Sequence, residues 1–99
     1  MAKKTRRAPG AQKAKDERVK RLSSDERKFL KEFGRLIHDE REAQGLTLYA
    51  IEDRGYPSWQ HWQKLESGLR DLQLTTLLKI SKALKTHPSE ILSKLNIKF

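Results

Sequence analysis

The chain has 99 residues, a formal net charge of +9 and no cysteine. Its length allows one small domain, and the lack of cysteine excludes disulfides, iron–sulfur clusters, thiol nucleophiles and cysteine-based zinc sites. Hydrophobic residues make up only 35% of the sequence, so we expect part of it not to fold.

Most of the excess charge lies in residues 1–22, which carry nine Lys and Arg against two acidic residues. Apart from Met1, the large aliphatics of this segment are Val19 and Leu22, too few to offset the entropy of folding. We interpret residues 1–22 as a flexible basic arm that can be helical near its end. A folded domain follows at 23–99. Such a block is typical of phosphate binding, or of a solvated tail. In the first case the DNA-contacting cations include Lys3, Lys4, Arg6 and Arg7.

The first of five predicted helices starts at Ser23, which has capping-box spacing to Glu26. Gly45 is expected to stop this helix as its C′ residue. The spacing of four, three and one places the apolar residues on a single stripe. That stripe comprises Phe29, Leu30, Phe33, Leu36 and Ile37.

Two shorter helices are predicted next, separated by the turn Gly55-Tyr56-Pro57. Thr47 caps the first, Leu48 to about Arg54, which turns Leu48 and Ile51 inward. Ser58 caps the second, from Trp59 to Ser67, before a stop at Gly68. The inner face of that helix is expected to carry Trp62 and Leu65.

The last two predicted helices follow a loop over 69–74. The first runs from about Thr75 to Lys85, and its apolar side holds Leu77, Ile80, Ser81 and Leu84. His87-Pro88 opens the second, because proline is well tolerated at the first helical position. It is expected to end at Asn96 and to bury Ile91, Leu92 and Leu95.

Three segments of residues 33–92 carry a resemblance to a known family. They are FGRLIHDEREAQGLTL, SWQHWQKLESGLR and LTTLLKISKALKTHPSEIL. Together they resemble the lambda-repressor-like, Cro-type (XRE-type) helix-turn-helix DNA-binding domain, in a combination more specific than any one piece. The resemblance implies an all-α bundle of five short helices, to which the basic arm is an addition.

The sequence departs from the family pattern around the turn of the motif. Glu52 stands where the family has an alanine at the contact of two helices, and a carboxylate there needs a partner. The turn glycine comes one place early, at Gly55, and Pro57 replaces a small apolar residue. Leu48 and Trp59 replace glutamines that meet DNA in the family. These changes bear on base reading and on the path of the turn, not on the fold.

The resemblance implies that the third helix enters the major groove with its N-terminal half. Its exposed residues would be Trp59, Gln60, His61, Gln63 and Lys64. Glutamine suits adenine edges and lysine suits guanine edges, whereas Ser58 and Arg70 would reach phosphates. The alternative is that these polar residues are only the solvated face of a short helix. Trp59 is expected either to pack against Tyr56-Pro57 or to lie at an interface.

No set of residues for catalysis is found in the sequence. His38, His61 and His87 lie on different predicted elements, and no HExxH, GxxxxGKS/T or GxSxG motif occurs. The acidic residues after His38 are expected to form surface pairs with the arginines Arg35 and Arg41. We therefore predict a non-enzymatic protein with no metal, cofactor or small-molecule ligand.

The function predicted from the sequence is a transcriptional regulator that occupies paired half-sites on double-stranded DNA as a homodimer. Because no signal peptide or membrane span is recognisable, we expect it in the cytoplasm, associated with the nucleoid. Three alternatives remain open: a protein-interaction module with Trp59 and Trp62 near the contact, a bridging coactivator, and the antitoxin of a toxin–antitoxin pair.

Overall fold

The structure is a computed structural model and describes residues 17–96. Helices dominate this part of the chain. No strand occurs in that range, so the all-α class predicted from the sequence is confirmed. The described residues form six helices where five were predicted, because residues 17–20 add a turn inside the arm. They are α1 (Glu17–Lys20), α2 (Ser24–Ala43), α3 (Ala50–Asp53), α4 (Trp59–Glu66), α5 (Leu74–Leu84) and α6 (Pro88–Ser93).

Both ends of α2 follow the sequence signals. The Ser23 hydroxyl accepts the Glu26 N–H at 3.1 Å, and the Glu26 carboxylate accepts the Ser23 N–H at 2.9 Å, which completes the capping box. At the other end Gly45 has φ +71°, and its N–H donates to the Glu42 carbonyl. A left-handed residue at this position satisfies carbonyls that the helix leaves open.

The segment predicted as a helix over 48–54 contains only one helical turn, α3. The Ile51 and Glu52 N–H groups donate to carbonyls three residues back, so the chain enters as a turn. The Thr47 hydroxyl accepts the Ala50 N–H at 3.1 Å, as its predicted capping role requires. Gly55, with φ +99°, then ends the segment before a second α-helical turn can form.

Helix α5 lies within one residue of its predicted bounds at both ends, whereas α6 agrees with the prediction at its start and differs at its end. Pro88 occupies the first turn of α6, as predicted, but this helix ends at Ser93 rather than Asn96. Ile91 is fully buried and Leu92 is 39% exposed, which contradicts the predicted burial of Leu92. The reason is that a six-residue helix buries a narrow stripe, and Leu92 is rotated by about 100° from Ile91.

The core collects one face of each long helix. Its buried large side chains include Trp62, which the sequence placed on the inner face of its helix, and Tyr56, which the sequence placed in a turn. The apolar stripe predicted for α2 is buried except for Phe29, which is partly exposed. The remaining large core residues are Phe33, Leu36, Ile37, Ile51, Leu65, Leu77, Ile80, Leu84 and Ile91.

The crossing of α2 and α4 depends on Gly34. A Cβ built on Gly34 would overlap the carbonyl oxygens of Leu65 and Glu66, so only glycine allows the two backbones to approach this closely. This contact fixes the position of the C-terminal half of α4. In the first turn of α4, Trp59 and His61 remain partly exposed and Gln60 is exposed.

The described end of the arm packs on the domain. Val19, in α1, is 1% exposed and borders a cleft formed by α2 residues and the loop after α4. In the part of the chain that the structure describes, no helix combines the length and the apolar composition needed to cross a bilayer.

Candidate nucleic-acid interface

A surface groove of about 510 Å³ runs beside the N-terminal half of α4. Its walls come from the turn after α3, from α4, from the loop that follows α4 and from α5. The groove is lined by Tyr56, Pro57, Ser58, Gln60, His61, Lys64, Arg70, Gln73, Thr76 and Lys79. Five of these residues are site residues predicted from the sequence, so folding brings together groups that lie up to twelve positions apart.

The start of α4 is fixed by two side-chain caps. The Ser58 hydroxyl accepts the His61 N–H at 3.2 Å, as predicted. The Glu52 carboxylate accepts the Trp59 N–H at 2.9 Å, which supplies the partner that the departure from the family pattern requires. Carboxylates are favourable at a helix N-terminus because the free N–H groups carry positive partial charge there. Glu52 is exposed and caps α4, so it does not interrupt a close contact between helices.

The groove carries formal charge of one sign. Lys64 comes from α4, Arg70 from the loop and Lys79 from α5, and no Asp or Glu is among the described residues that line the groove. The hydroxyl group of Ser58 and the amide group of Gln60 line the same groove. Converging cations with neutral hydrogen-bonding groups are suited to an anion that also offers polar edges.

Tyr56 and His61 form a stacked pair in the groove wall. The Tyr56 hydroxyl lies 2.7 Å from His61 Nδ1, and the ring centroids are 5.8 Å apart at 28°. Tyr56 also meets Trp62 edge-on at 5.0 Å. Burial raises the pKa of Tyr56 to about 12, against a weaker opposing effect of Arg70. The phenol therefore stays neutral and ties the groove wall to the core.

His61 has a pKa below its usual value. Burial is the main cause, and the positive charges of Arg70, Lys79 and Lys64 add to it. Both effects disfavour the protonated imidazole, because burial removes water and like charges repel. The neutral form of the His61 imidazole is therefore favoured.

The other predicted site residues lie elsewhere. Gln63 borders a neighbouring depression that shares Gln60 and Lys64 with the groove. Trp59 packs on Tyr49, with ring centroids 4.9 Å apart at 70°, where the sequence analysis expected Tyr56-Pro57 or an interface. The predicted arm residues lie outside the described part of the chain; they are Lys3, Lys4, Arg6 and Arg7.

Five groove residues were not predicted as site residues: Tyr56 and Pro57 from the turn, and Gln73, Thr76 and Lys79 from α5 and the residue before it. Lys79 lies between the buried Leu77 and Ile80, so the helical period already places it outward. What the period does not give is the face of α5 that meets α4. That relation depends on how the helices pack, which no local pattern records.

The opposite face of α4 holds a buried ionic network that the sequence analysis did not anticipate. The Glu66 carboxylate accepts hydrogen bonds from Arg41 Nε at 2.7 Å and from Trp62 Nε1 at 2.6 Å, and His38 Nδ1 lies 3.2 Å from it. Arg41 also donates to the Leu46 carbonyl at 2.7 Å. The prediction that Arg41 forms only surface pairs is therefore wrong, because its guanidinium points into the α2–α4 contact.

Arg35 behaves as the sequence predicted. It pairs with Asp39 at 3.0 Å and Glu32 at 3.1 Å on the exposed side of α2. Hydrogen bonds and charge from Glu32, and then charge from Asp39, raise the pKa of Arg35. Such exposed pairs add little stability, so this face of α2 is a solvated surface.

Residues 17–96 contain no group of three or more His, Asp or Glu side chains arranged to hold a metal ion. Comparisons with models of protein families, with curated proteins and with solved structures find no match.

Proposed function

We propose that this protein is a sequence-specific DNA-binding transcriptional regulator of the repressor type that occupies paired half-sites as a dimer. The observation that carries the proposal is the groove beside α4, in which Lys64, Arg70 and Lys79 converge with neutral hydrogen-bonding groups. The duplex backbone is a dense array of negative charge, so a one-signed basic surface suits it.

The exposed side of α4 provides the chemistry for reading bases. Gln60 and Lys64 are four residues apart and therefore project in the same direction from the helix. The amide of Gln60 can donate to and accept from adenine, and the ammonium of Lys64 can donate to guanine O6 and N7. Arg70 and Lys79 flank them and are assigned to phosphates, which set the position of the helix on DNA.

Two features of the sequence support the same function. Residues 33–92 resemble a helix-turn-helix DNA-binding family in which the helix equivalent to α4 enters the major groove. The arm adds a net charge of +7 outside that region, which suits nonspecific attachment to phosphates. One such module covers one half-site, so occupancy of a paired site by a dimer follows.

The test uses the full-length protein and duplexes selected by it from a random pool. The Kd for the selected duplex is compared with that for a scrambled duplex by fluorescence anisotropy. In the double variant Gln60→Ala/Lys64→Ala, we expect the preference to fall by about two decades or more, since each good base pairing contributes about 1–3 kcal/mol. Nonspecific, salt-sensitive binding through the arm and Arg70 should remain.

Lys28→Ala is the charge-matched control, because Lys28 is exposed on α2 and borders a separate cleft with Val19 and Ser24. It should keep the full preference. A double variant that discriminates as well as the unmodified protein would contradict the assignment of α4, and selection that yields no preferred duplex would contradict sequence-specific binding.

A second candidate function, a protein-interaction module, is favoured by the Tyr49–Trp59 pair. Tyr49 is 66% exposed and meets Trp59 edge-on, so two aromatic rings stand together at the surface. Aromatic side chains are enriched at the energetic centres of protein interfaces. Trp62, which the sequence analysis placed near such a contact, is fully buried and does not contribute to the surface. If this candidate is correct, Trp59→Ala removes a copurifying protein and leaves base preference intact.

A further inference from the structure

His61 is held differently from its neighbours on α4. Its Nδ1 is engaged by the Tyr56 hydroxyl at 2.7 Å, and its ring is stacked on the Tyr56 ring. The side chain therefore forms part of the groove wall, where the sequence analysis expected it to meet base edges. With Nδ1 turned to Tyr56, Nε2 is the ring nitrogen that can donate to a ligand in the groove.

The charges that act on His61 come from three parts of the fold and are all positive. Lys64 lies one turn further along α4, Arg70 lies in the following loop, and Lys79 faces the groove from α5. Tyr56, from the turn before α4, is neutral because its pKa is about 12. Histidine is the side chain whose ordinary pKa lies between 5 and 8, so His61 is the group in this set that can change charge there.

We propose that this part of the groove seats one phosphate of the DNA backbone, and that His61 takes up a proton from solvent when the phosphate binds. The inference rests on the proposed function and adds to it a proton-linked phosphate contact. The phosphate brings negative charge against Lys64, Arg70 and Lys79, which offsets their repulsion of an imidazolium. Protonated His61 then donates from Nε2 to a phosphate oxygen and from Nδ1 to the Tyr56 oxygen. Both bonds are charge-assisted, and the first joins two ions of opposite charge.

Proton uptake fixes the sign of the pH dependence. At high pH His61 is neutral with and without DNA, and at low pH it is protonated in both states, so affinity is constant at each extreme. The pKa of His61 lies below 6.5 in the free protein and is higher in the complex. Between these two pKa values, each unit of falling pH tightens binding by up to about tenfold. An opposite charge within about 4–6 Å raises a pKa by roughly 1–3 units, so the window is at least about one unit wide.

The direct test follows the His61 Cε1–H resonance of the full-length protein by NMR from pH 5 to 8.5, with and without a saturating selected duplex. We expect the duplex to raise the pKa of His61 by about one unit or more. An unchanged pKa in the complex would overturn the proposal. A parallel titration with inorganic phosphate at equal phosphate concentration distinguishes the two sources of the anion. If it moves the resonance as far as the duplex does, the site is for the free anion and the proposal fails.

A second measurement compares the Kd at pH 8 with the Kd at pH 5 for each variant. In His61→Gln this ratio should fall by about tenfold relative to the unmodified protein, whatever its absolute affinity, whereas His87→Gln, with its exposed histidine, should keep it. Duplex binding with an unchanged ratio in His61→Gln would overturn the proton linkage alone. If no duplex binds at any pH, the proposed function fails and the inference fails with it. Should His61→Gln not fold, the NMR titration still decides.

Discussion

Helix α4 has one face against α2 and another on the groove, and the two faces differ in how charge is arranged. On the α2 side, the buried Glu66 carboxylate accepts hydrogen bonds from Arg41 Nε at 2.7 Å and from Trp62 Nε1 at 2.6 Å. On the groove side, the cations of α4, the loop and α5 converge, and the described lining includes no carboxylate. Opposite charges that pair inside the protein hold α4 in place, whereas a surface with charge of one sign is suited to bind a ligand of opposite charge.

The matched side also explains why the network is sensitive to substitution. The Arg41 and Glu66 side chains are 8% and 9% exposed, so both have lost most of their water. A buried pair gains little over an apolar pair, but removal of one partner leaves the other charge buried and unmatched. The hydrogen bond that Arg41 donates to Glu66 raises the pKa of Arg41, which keeps the guanidinium charged. The network thus fixes the register of α2 against α4.

The largest expected effect is that of Glu66→Ala on stability. It leaves Arg41 and the Trp62 indole N–H without their acceptor, and we expect a loss of about 3–5 kcal/mol in the free energy of unfolding by urea denaturation. Glu32→Ala is the control, since Glu32 pairs with the exposed Arg35 within α2. This variant should lose less than about 1 kcal/mol of unfolding free energy. Equal losses for the two variants would show that the network is not special.

Gly34→Ala tests the close approach of α2 to α4. In an exposed helix this change stabilises by about 1 kcal/mol, because alanine is the better helix former. Here the added methyl group would overlap the Leu65 and Glu66 carbonyls, so we expect a loss of about 1–3 kcal/mol instead. The melting temperature decides between the two, because the predicted changes have opposite signs. A more stable variant would mean that α2 and α4 can move apart without a loss of stability.

Local signals predicted most of the fold. The capping box at Ser23, the left-handed Gly45 and the proline at the start of α6 fix helix ends through interactions within a few residues. Helical periodicity placed Trp62 and Ile80 inside, where both are fully buried. It failed where an element is too short for a full period, as at Leu92.

The candidate site was predicted less completely because its parts come from different elements. The residues of α4 and Arg70 were predicted from the resemblance to a helix-turn-helix family, which assigns roles to positions in the sequence. Lys79 was missed because only packing brings α5 beside α4. The burial of Arg41 was missed for a related reason, since its partner Glu66 is 25 residues away.

Deletion of residues 2–15 asks whether the arm binds phosphates in addition to those bound by the groove. The cut spares Val19, which is buried, so the melting temperature should stay unchanged. If the arm binds phosphates, the slope of log K against log salt becomes shallower by about 0.9 for each phosphate that is no longer neutralised. The same slope in the truncated and full-length proteins would confine DNA binding to the folded domain.

The most direct test of the contrast between the faces compares two charge-matched double variants. Arg70→Ala/Lys79→Ala removes from the groove the two cations assigned to phosphates, and Lys28→Ala/Lys31→Ala removes two cations from a different cleft beside α2. The salt dependence of duplex binding is measured for both by fluorescence anisotropy. If the groove is the DNA-contacting surface, the slope falls by about 1.8 in the groove variant and by nothing measurable in the α2 variant. Equal decreases would show that only total charge matters and would contradict the assignment of the groove.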